Sequence, residues 1–214
     1  LIIITKREAM QLPIKQLSAH LKKDLLPVYL IASDVTLLAQ QARDQIIQAA
    51  KKQQFSQRNL LSIEPGFDWQ SFTVAVSNYS LFSEKTIIDL RSPGTSFNEK
   101  GVKALLQYLN NPSSDHVLLL STDKLTSAQQ RTKWYKAVDK MGACITIWPI
   151  TLKDLPAWIK QQMNPLGIQA DASSIQLLAE YTEGNLLATK QALDKLTLLY
   201  PNQPITTQEM MCVL

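Results

Sequence analysis

The chain has 214 residues, 45% of them apolar and 19% charged, the profile of a soluble globular protein long enough to divide into two domains. Its longest apolar runs, Val117 to Leu120 and Cys144 to Trp148, are strand-length, far from the roughly 20 residues that span a bilayer, so no membrane association is expected. A net charge of +4 permits a nucleic-acid or acidic partner without requiring one, and two distant cysteines with two histidines exclude a disulfide framework and argue against zinc, in keeping with a cytoplasmic protein.

The opening LIIIT is too short for a signal-peptide core and has no basic region before it. Met10 reads as a natural start, so residues 1–9 are set aside as a non-native or upstream extension. The final MCVL is left open in the same way. A helix is expected over Ile14 to Lys23, and PVYLIAS then reads as a buried strand from Val28 to Ala32. Leu37, Leu38, Ala42, Ile46 and Ile47 keep one face of the following helix apolar. NLLSIEP, Asn59 to Pro65, is a second strand stopped by a Pro-Gly turn. Asp68 caps a helix from Trp69 to about Tyr79 that carries Phe72, Val76 and Tyr79.

TIIDL is the third strand. Just ahead of it, Leu81 and Phe82 form a large apolar step between Ser80 and Ser83. Read from the residues alone, the pair fits either this protein's core or a pocket on a partner. The loop RSPGTSFNEK leads to the helix GVKALLQYLN, ended by Asn110-Asn111-Pro112. HVLLLST is a fourth strand, SAQQRTKWYKAVDKM a helix and ACITIWP a fifth strand.

Strands alternating with helices imply a five-stranded parallel α/β sheet covered on both faces, and continuous apolar strands support that burial. From Pro149 onward strands stop. TLKDLPAWIKQQMNPLG, DASSIQLLAEYTEG and NLLATKQALDKLTLLYP read as three helices, a small bundle. The domains expected are therefore 10–148 and 149–214.

A sheet of this kind suggests nucleotide binding, which would place GxxxxGK[ST] after the first strand, where backbone N–H groups and a lysine cradle phosphates. The chain has ASDVTLLAQQ there: no glycine, no lysine, and Asp34 where an anion would be repelled. Asp89 stands near the end of the third strand, but Leu90 and Arg91 follow it, so no base is offered to activate water. It reads as a strand-end acid paired with a nearby base. Ser121-Thr122 at the end of the fourth strand is either a remnant nucleotide sensor or an ordinary pair of strand-end hydroxyls. His116 reads as a strand-end histidine, and no GxSxG or HExxH motif is present. No cofactor or metal is expected.

LFSEKTIIDLR, KLTSAQQRTKWYKAV, WPITLKDLPAWI and EGNLLATKQALDKLTLLYP together resemble the delta subunit family of bacterial DNA polymerase III, from about Met10 to Leu214. The resemblance implies an AAA+-like fold with a degenerate nucleotide site, and a role as the clamp-opening subunit of the clamp loader. It implies that Leu81 and Phe82 are the wedge that enters a pocket on the sliding clamp. Implied partners are the clamp (beta subunit), the gamma/tau and delta prime subunits, and primed DNA, at replication forks beside the nucleoid. Family members carry a further helical collar domain, which makes this chain an N-terminal fragment on that reading. Polymerase activity would belong to the holoenzyme. Lys124, Arg131, Lys133, Lys136 and Lys140 give one helix a cationic face, either simply solvated or turned toward DNA or a neighbouring subunit. Where related ATPases place a sensing arginine, this chain has Thr189-Lys190-Gln191, and Lys190 reads as a surface lysine. The rivals are a nucleotide hydrolase with an atypical phosphate site, and a stand-alone nucleic-acid binder, which lacks the basic-aromatic interleaving such proteins use.

Overall fold

Short leucine- and β-branched-rich runs with no polar alternation must be covered on both sides, and here they are. The computed structural model of the protein describes residues 10–23, 25–77, 84–92, 94 and 97–214. It divides after Trp148 into two compact units.

In the first unit, strands β1 (Met10–Gln11), β2 (Val28–Ser33), β3 (Gln57–Ser62), β4 (Thr86–Ser92), β5 (His116–Thr122) and β6 (Ala143–Ile147) form one sheet in the order β1-β6-β2-β5-β4-β3. Every pairing in it is parallel. The helices of this unit are α1 (Ile14–His20), α2 (Thr36–Lys52), α3 (Trp69–Ser77), α4 (Glu99–Asn110) and α5 (Lys133–Met141). The five expected strands are β2 to β6. The two-residue β1 adds an edge that the pattern does not announce: Gln11 donates to the Tyr135 hydroxyl at 2.7 Å, and Leu12 N–H to Cys144 O at 2.9 Å.

Side chains alternate across each strand. Val28, Leu30 and Ala32 of β2, with Ile88, Leu90, Leu118 and Leu120, meet Trp69, Phe72, Leu105, Tyr108, Trp134 and Val138 in one core cluster. Its aromatic rings pack edge to face: Phe97 lies 4.9 Å from Trp134, and Trp69 lies within 5.2–6.0 Å of Phe67, Phe72 and Phe97. Two glycines permit this packing. A Cβ on Gly101 would stand 2.2 Å from the Trp69 ring, and one on Gly142 would stand 1.9 Å from Val28 O. The alternate residues Tyr29, Ile31, Ile87 and Leu119 are buried on the opposite face, where α1 and α2 pack.

One expected helix is broken. SAQQRTKWYKAVDKM does not run continuously: Gln129–Arg131 is a 3₁₀ turn, Thr132 is extended (φ −67°, ψ 159°), and α5 begins at Lys133. Thr132 Oγ1 donates to Gln129 O at 2.6 Å, which gives the backbone a local alternative to the helix.

The second unit contains the three helices expected after Pro149: α6 (Leu155–Met163), α7 (Ala172–Tyr181) and α8 (Leu186–Leu199). It departs from a plain bundle in two ways. A short α9 (Thr207–Met211) follows, and β7 (Gln169–Ala170) pairs in parallel with β8 (Pro204–Ile205), so strands do not stop at Pro149. Asp171 caps α7 by accepting from Ser174 N–H at 2.7 Å, and Asn185 caps α8 by accepting from Ala188 N–H at 3.0 Å. The buried hydroxyls of Thr182 and Thr189 satisfy each other at 2.7 Å, so this polar pair sits in the core without a dangling donor.

Candidate functional site

In open parallel sheets, ligands bind outside the carboxyl ends of the strands, so the loops there decide what the fold can do. Only Asp34 and Val35 separate β2 from α2, too few residues to wrap a phosphate in backbone N–H groups. Ser33 Oγ accepts from Val35 N–H at 2.9 Å, closing a tight turn. Asp34 Oδ1 accepts from Lys124 N–H at 2.9 Å, which ties the end of β2 to the loop after β5. Asp123 Oδ2 accepts from Gly94 N–H at 3.1 Å and ties that loop in turn to the segment after β4. Carboxylates thus hold backbone N–H groups that a phosphate loop would turn toward its ligand. The hydroxyls of Ser121 and Thr122, at the end of β5, are buried and without hydrogen-bond partners among the described residues.

Asp89 is not at a strand end. It is the fourth of seven residues in β4, is fully buried, and faces Leu60 of β3 and Leu119 of β5. Its Oδ2 accepts from Arg58 at 2.5 Å and from Arg91 at 3.0 Å. The reading as an acid paired with a nearby base was right in kind and one base short. Arg43 of α2 joins the group: burial lowers its pKa from the usual guanidinium value, Arg91 lowers it further, and Asp89 and Asp44 act in the opposite direction. A carboxylate engaged by two guanidiniums is a poor ligand for a metal. No group of three His, Cys, Asp or Glu side chains that could hold an ion exists among the described residues.

The residues singled out for partners fall in several places. Leu81 and Phe82 lie outside the described residues. Lys124 is half-buried and stacks its ammonium on Trp148, 4.2 Å from the ring centroid, a cation–π contact. Arg131 is exposed in the 3₁₀ turn, apart from α5. Lys133, Lys136 and Lys140 are exposed at successive turns of α5, on the side opposite the buried Trp134, Tyr135 and Val138. Lys190 pairs with Asp194 at 2.8 Å, four residues on along α8. Arg43, Arg58 and their convergence on Asp89 carry no sequence signal beyond Arg58 and Leu60 standing two apart in QRNLLS, which places both on one face of β3.

A parallel sheet with helices on both faces, and loops rather than a phosphate cradle at the carboxyl end of β2, is the AAA+-like ATPase fold in a form whose nucleotide loop has closed. Solved structures of that fold resemble it. The Bacillus subtilis DNA clamp loader delta protein superposes with a TM-score of 0.68 at 17% identity, covering 94% of this chain and 62% of that one. The Thermotoga maritima RuvB Holliday junction branch migration motor does so with a TM-score of 0.57 at 16% identity, covering 93% and 66%.

The sequence carries the assignment further. The family model described as DNA polymerase III, delta subunit, matches residues 29–147. DNA polymerase III subunit delta of Haemophilus influenzae is 30% identical over 204 residues, 93% of this chain and 58% of that protein. The Escherichia coli subunit is 30% identical over 192 residues, 90% of this chain and 56% of that protein. The chain belongs to the DNA polymerase III delta subunit family, and it spans a little over half the length of these relatives.

Proposed function

We propose that this chain is the clamp-binding part of a clamp-loader delta subunit, and that it holds one interface of the sliding clamp open without hydrolysing ATP itself. The observation that carries this reading is the closed β2–α2 connection in a chain of the delta family. Asp34 and its bond to Lys124 N–H occupy the place a phosphate loop needs. A protein without that loop acts through its contacts, and contacts shift a closed ring toward an open one only by binding the open form better. ATP would then work on partner subunits that keep a phosphate loop and would control access of this subunit to the clamp.

The contact proposed is Leu81 with Phe82. Burying both in a pocket supplies about 3–6 kcal/mol of gross apolar transfer, enough for an anchor after the costs of ordering are subtracted. Lys133, Lys136 and Lys140, with Arg131 and Lys124 nearby in sequence, are proposed to face primed DNA or a neighbouring loader subunit, gamma/tau or delta prime. DNA contact of that kind weakens steeply with salt.

The test is binding of this chain to the beta clamp, beside a Leu81→Ala/Phe82→Ala variant with the same circular dichroism. Micromolar or tighter binding that the variant loses supports the wedge; equal binding by both moves the interface elsewhere. A titration with ATP is expected to stay flat, and saturable ATP binding would overturn the non-hydrolysing reading. DNA affinity that does not change between low and physiological salt would remove the cationic face from the account.

A further inference from the structure

We propose that the outer edge of β3 is a docking site for an extended acidic segment of a partner protein, which adds to the sheet as a further strand and sets its carboxylates against Arg43, Arg58 and Arg91. The inference stands independently of the clamp reading, since it uses none of the residues proposed for it.

The backbone comes first. β3 ends the sheet order and pairs only with β4. Gln57 N–H donates to Lys85 O, and Ile63 N–H donates to Arg91 O. Odd-numbered residues therefore turn their backbone groups toward β4. By the alternation of a parallel ladder, Arg58, Leu60 and Ser62 turn theirs outward. Edge strands commonly protect such a row with proline, a bulge or a covering loop. QRNLLS holds no proline, pairs with β4 in unbroken register over all six residues, and is exposed at five of them. Leu60 is 51% exposed, an apolar contact on the face that also carries Asp89.

The charges select the ligand. A guanidinium has five N–H donors, and the bonds to Asp89 Oδ2 use one from Arg58 and one from Arg91. Both side chains are about one-third exposed (35% and 34%), so donors remain for a ligand. Asp89 holds the two forks in place in advance, which lowers the ordering cost of binding. Arg43 adds a third guanidinium to the same field, opposed by Asp89 and Asp44. Three cations against two anions leave a positive excess beside an unpaired strand edge, and arginine forks match carboxylates in geometry as well as charge. A nucleic-acid backbone would meet the arginines but would leave the outward N–H and C=O row and Leu60 unused. An acidic peptide in strand form uses all three features, with backbone bonds for affinity and side chains for selection.

The experiment uses the whole 214-residue chain and a pool of acetylated decapeptides with Asp or Glu at alternate positions and Val, Ile, Leu or Phe between. Binding is read by fluorescence anisotropy, and hydrogen exchange is followed at the amides of Arg58, Leu60 and Ser62. The acidic pool is expected to contain binders that slow exchange at those three amides, while the same pool with Lys for each acid contains none. Arg43→Glu is expected to weaken the best binder at least tenfold. Leu60→Pro removes an outward N–H without touching the β4 ladder and is expected to abolish binding. If Leu60→Pro does not fold, the exchange pattern of the wild type decides. Failure of every acidic member to bind, or binding without protection of the three amides, overturns the proposal. A single-stranded oligonucleotide that depends on Arg43 and leaves those amides unprotected, where the peptides fail, would assign the arginines to nucleic acid instead.

Discussion

The two faces of the sheet solve burial differently. Toward α3, α4 and α5, the strands present Val28, Leu30, Ile88, Leu90, Leu118 and Leu120 to a set of interlocked aromatic rings. Toward α1 and α2 the centre is equally dry, with Tyr29, Ile31, Ile87 and Leu119 fully buried. At the β3–β4 edge, however, that second face carries a buried aspartate and its arginines. Apolar contacts on the first face are interchangeable within limits of volume. The ionic edge is not, because each charge there is tolerable only while its partner remains. The first face makes the fold stable, and the second spends some of that stability on a fixed array of guanidiniums at an open edge.

The largest break comes from the aromatic face. Phe72→Ala removes a fully buried ring that contacts Trp69 and Tyr108, and is expected to cost about 4 kcal/mol in urea unfolding. Next is Asp89→Ala. It leaves Arg58 and Arg91 facing each other without the carboxylate, at an expected cost of about 3 kcal/mol, moderated by their partial exposure. The companion Arg58→Leu/Asp89→Leu/Arg91→Leu sharpens the contrast. Replacing the whole group by apolar side chains should restore stability to within about 1 kcal/mol of wild type. If the triple variant is no better than Asp89→Ala, the edge is held by shape rather than charge balance. Smaller again is Asn98→Ala, on the aromatic side. Asn98 caps α4 by accepting from Gly101 N–H at 2.8 Å, and its loss is expected to cost about 1 kcal/mol in the same assay.

Much of the first face was legible in the sequence, because continuous apolar strands alternating with amphipathic helices admit few arrangements. The degenerate nucleotide site was legible as chemistry: an aspartate and no glycine after β2. That the aspartate fastens Lys124 N–H was not, since the two lie 90 residues apart. The ionic edge was half legible. Arg91 beside Asp89 could be read from TIIDLR, but Arg58 lies 31 residues away and meets Asp89 only through the register of β3 on β4. Two-residue strands such as β1, β7 and β8 are too short to show a period of two. The break at Thr132 depends on one hydroxyl bonding its own backbone, which helix periodicity does not report.

The smallest expected effect belongs to His116, at the first position of β5. Its ring is buried, and Nδ1 has no hydrogen-bond partner among the described residues. Burial lowers its pKa, and the neighbouring Asp115 only partly offsets this. Above the unfolded value of about 6.5, the ring is neutral in both states and the difference contributes nothing to the pH dependence. As pH falls through that value, the unfolded chain takes up a proton that the folded chain refuses, so stability declines until the lower folded pKa is passed. Wild type should therefore lose stability between pH 7.5 and 5.5. His116→Gln should lose less over the same range, whatever its stability at pH 7.5. Asp171 and Glu209 are held below their usual values by hydrogen bonds, to Ser174 and Thr206 respectively. Their contributions fade only at more acid pH and are common to both proteins. Unfolding midpoints that fall in parallel for the two proteins would mean that His116 accepts its proton in the fold, and that this end of β5 is less dry than its burial implies.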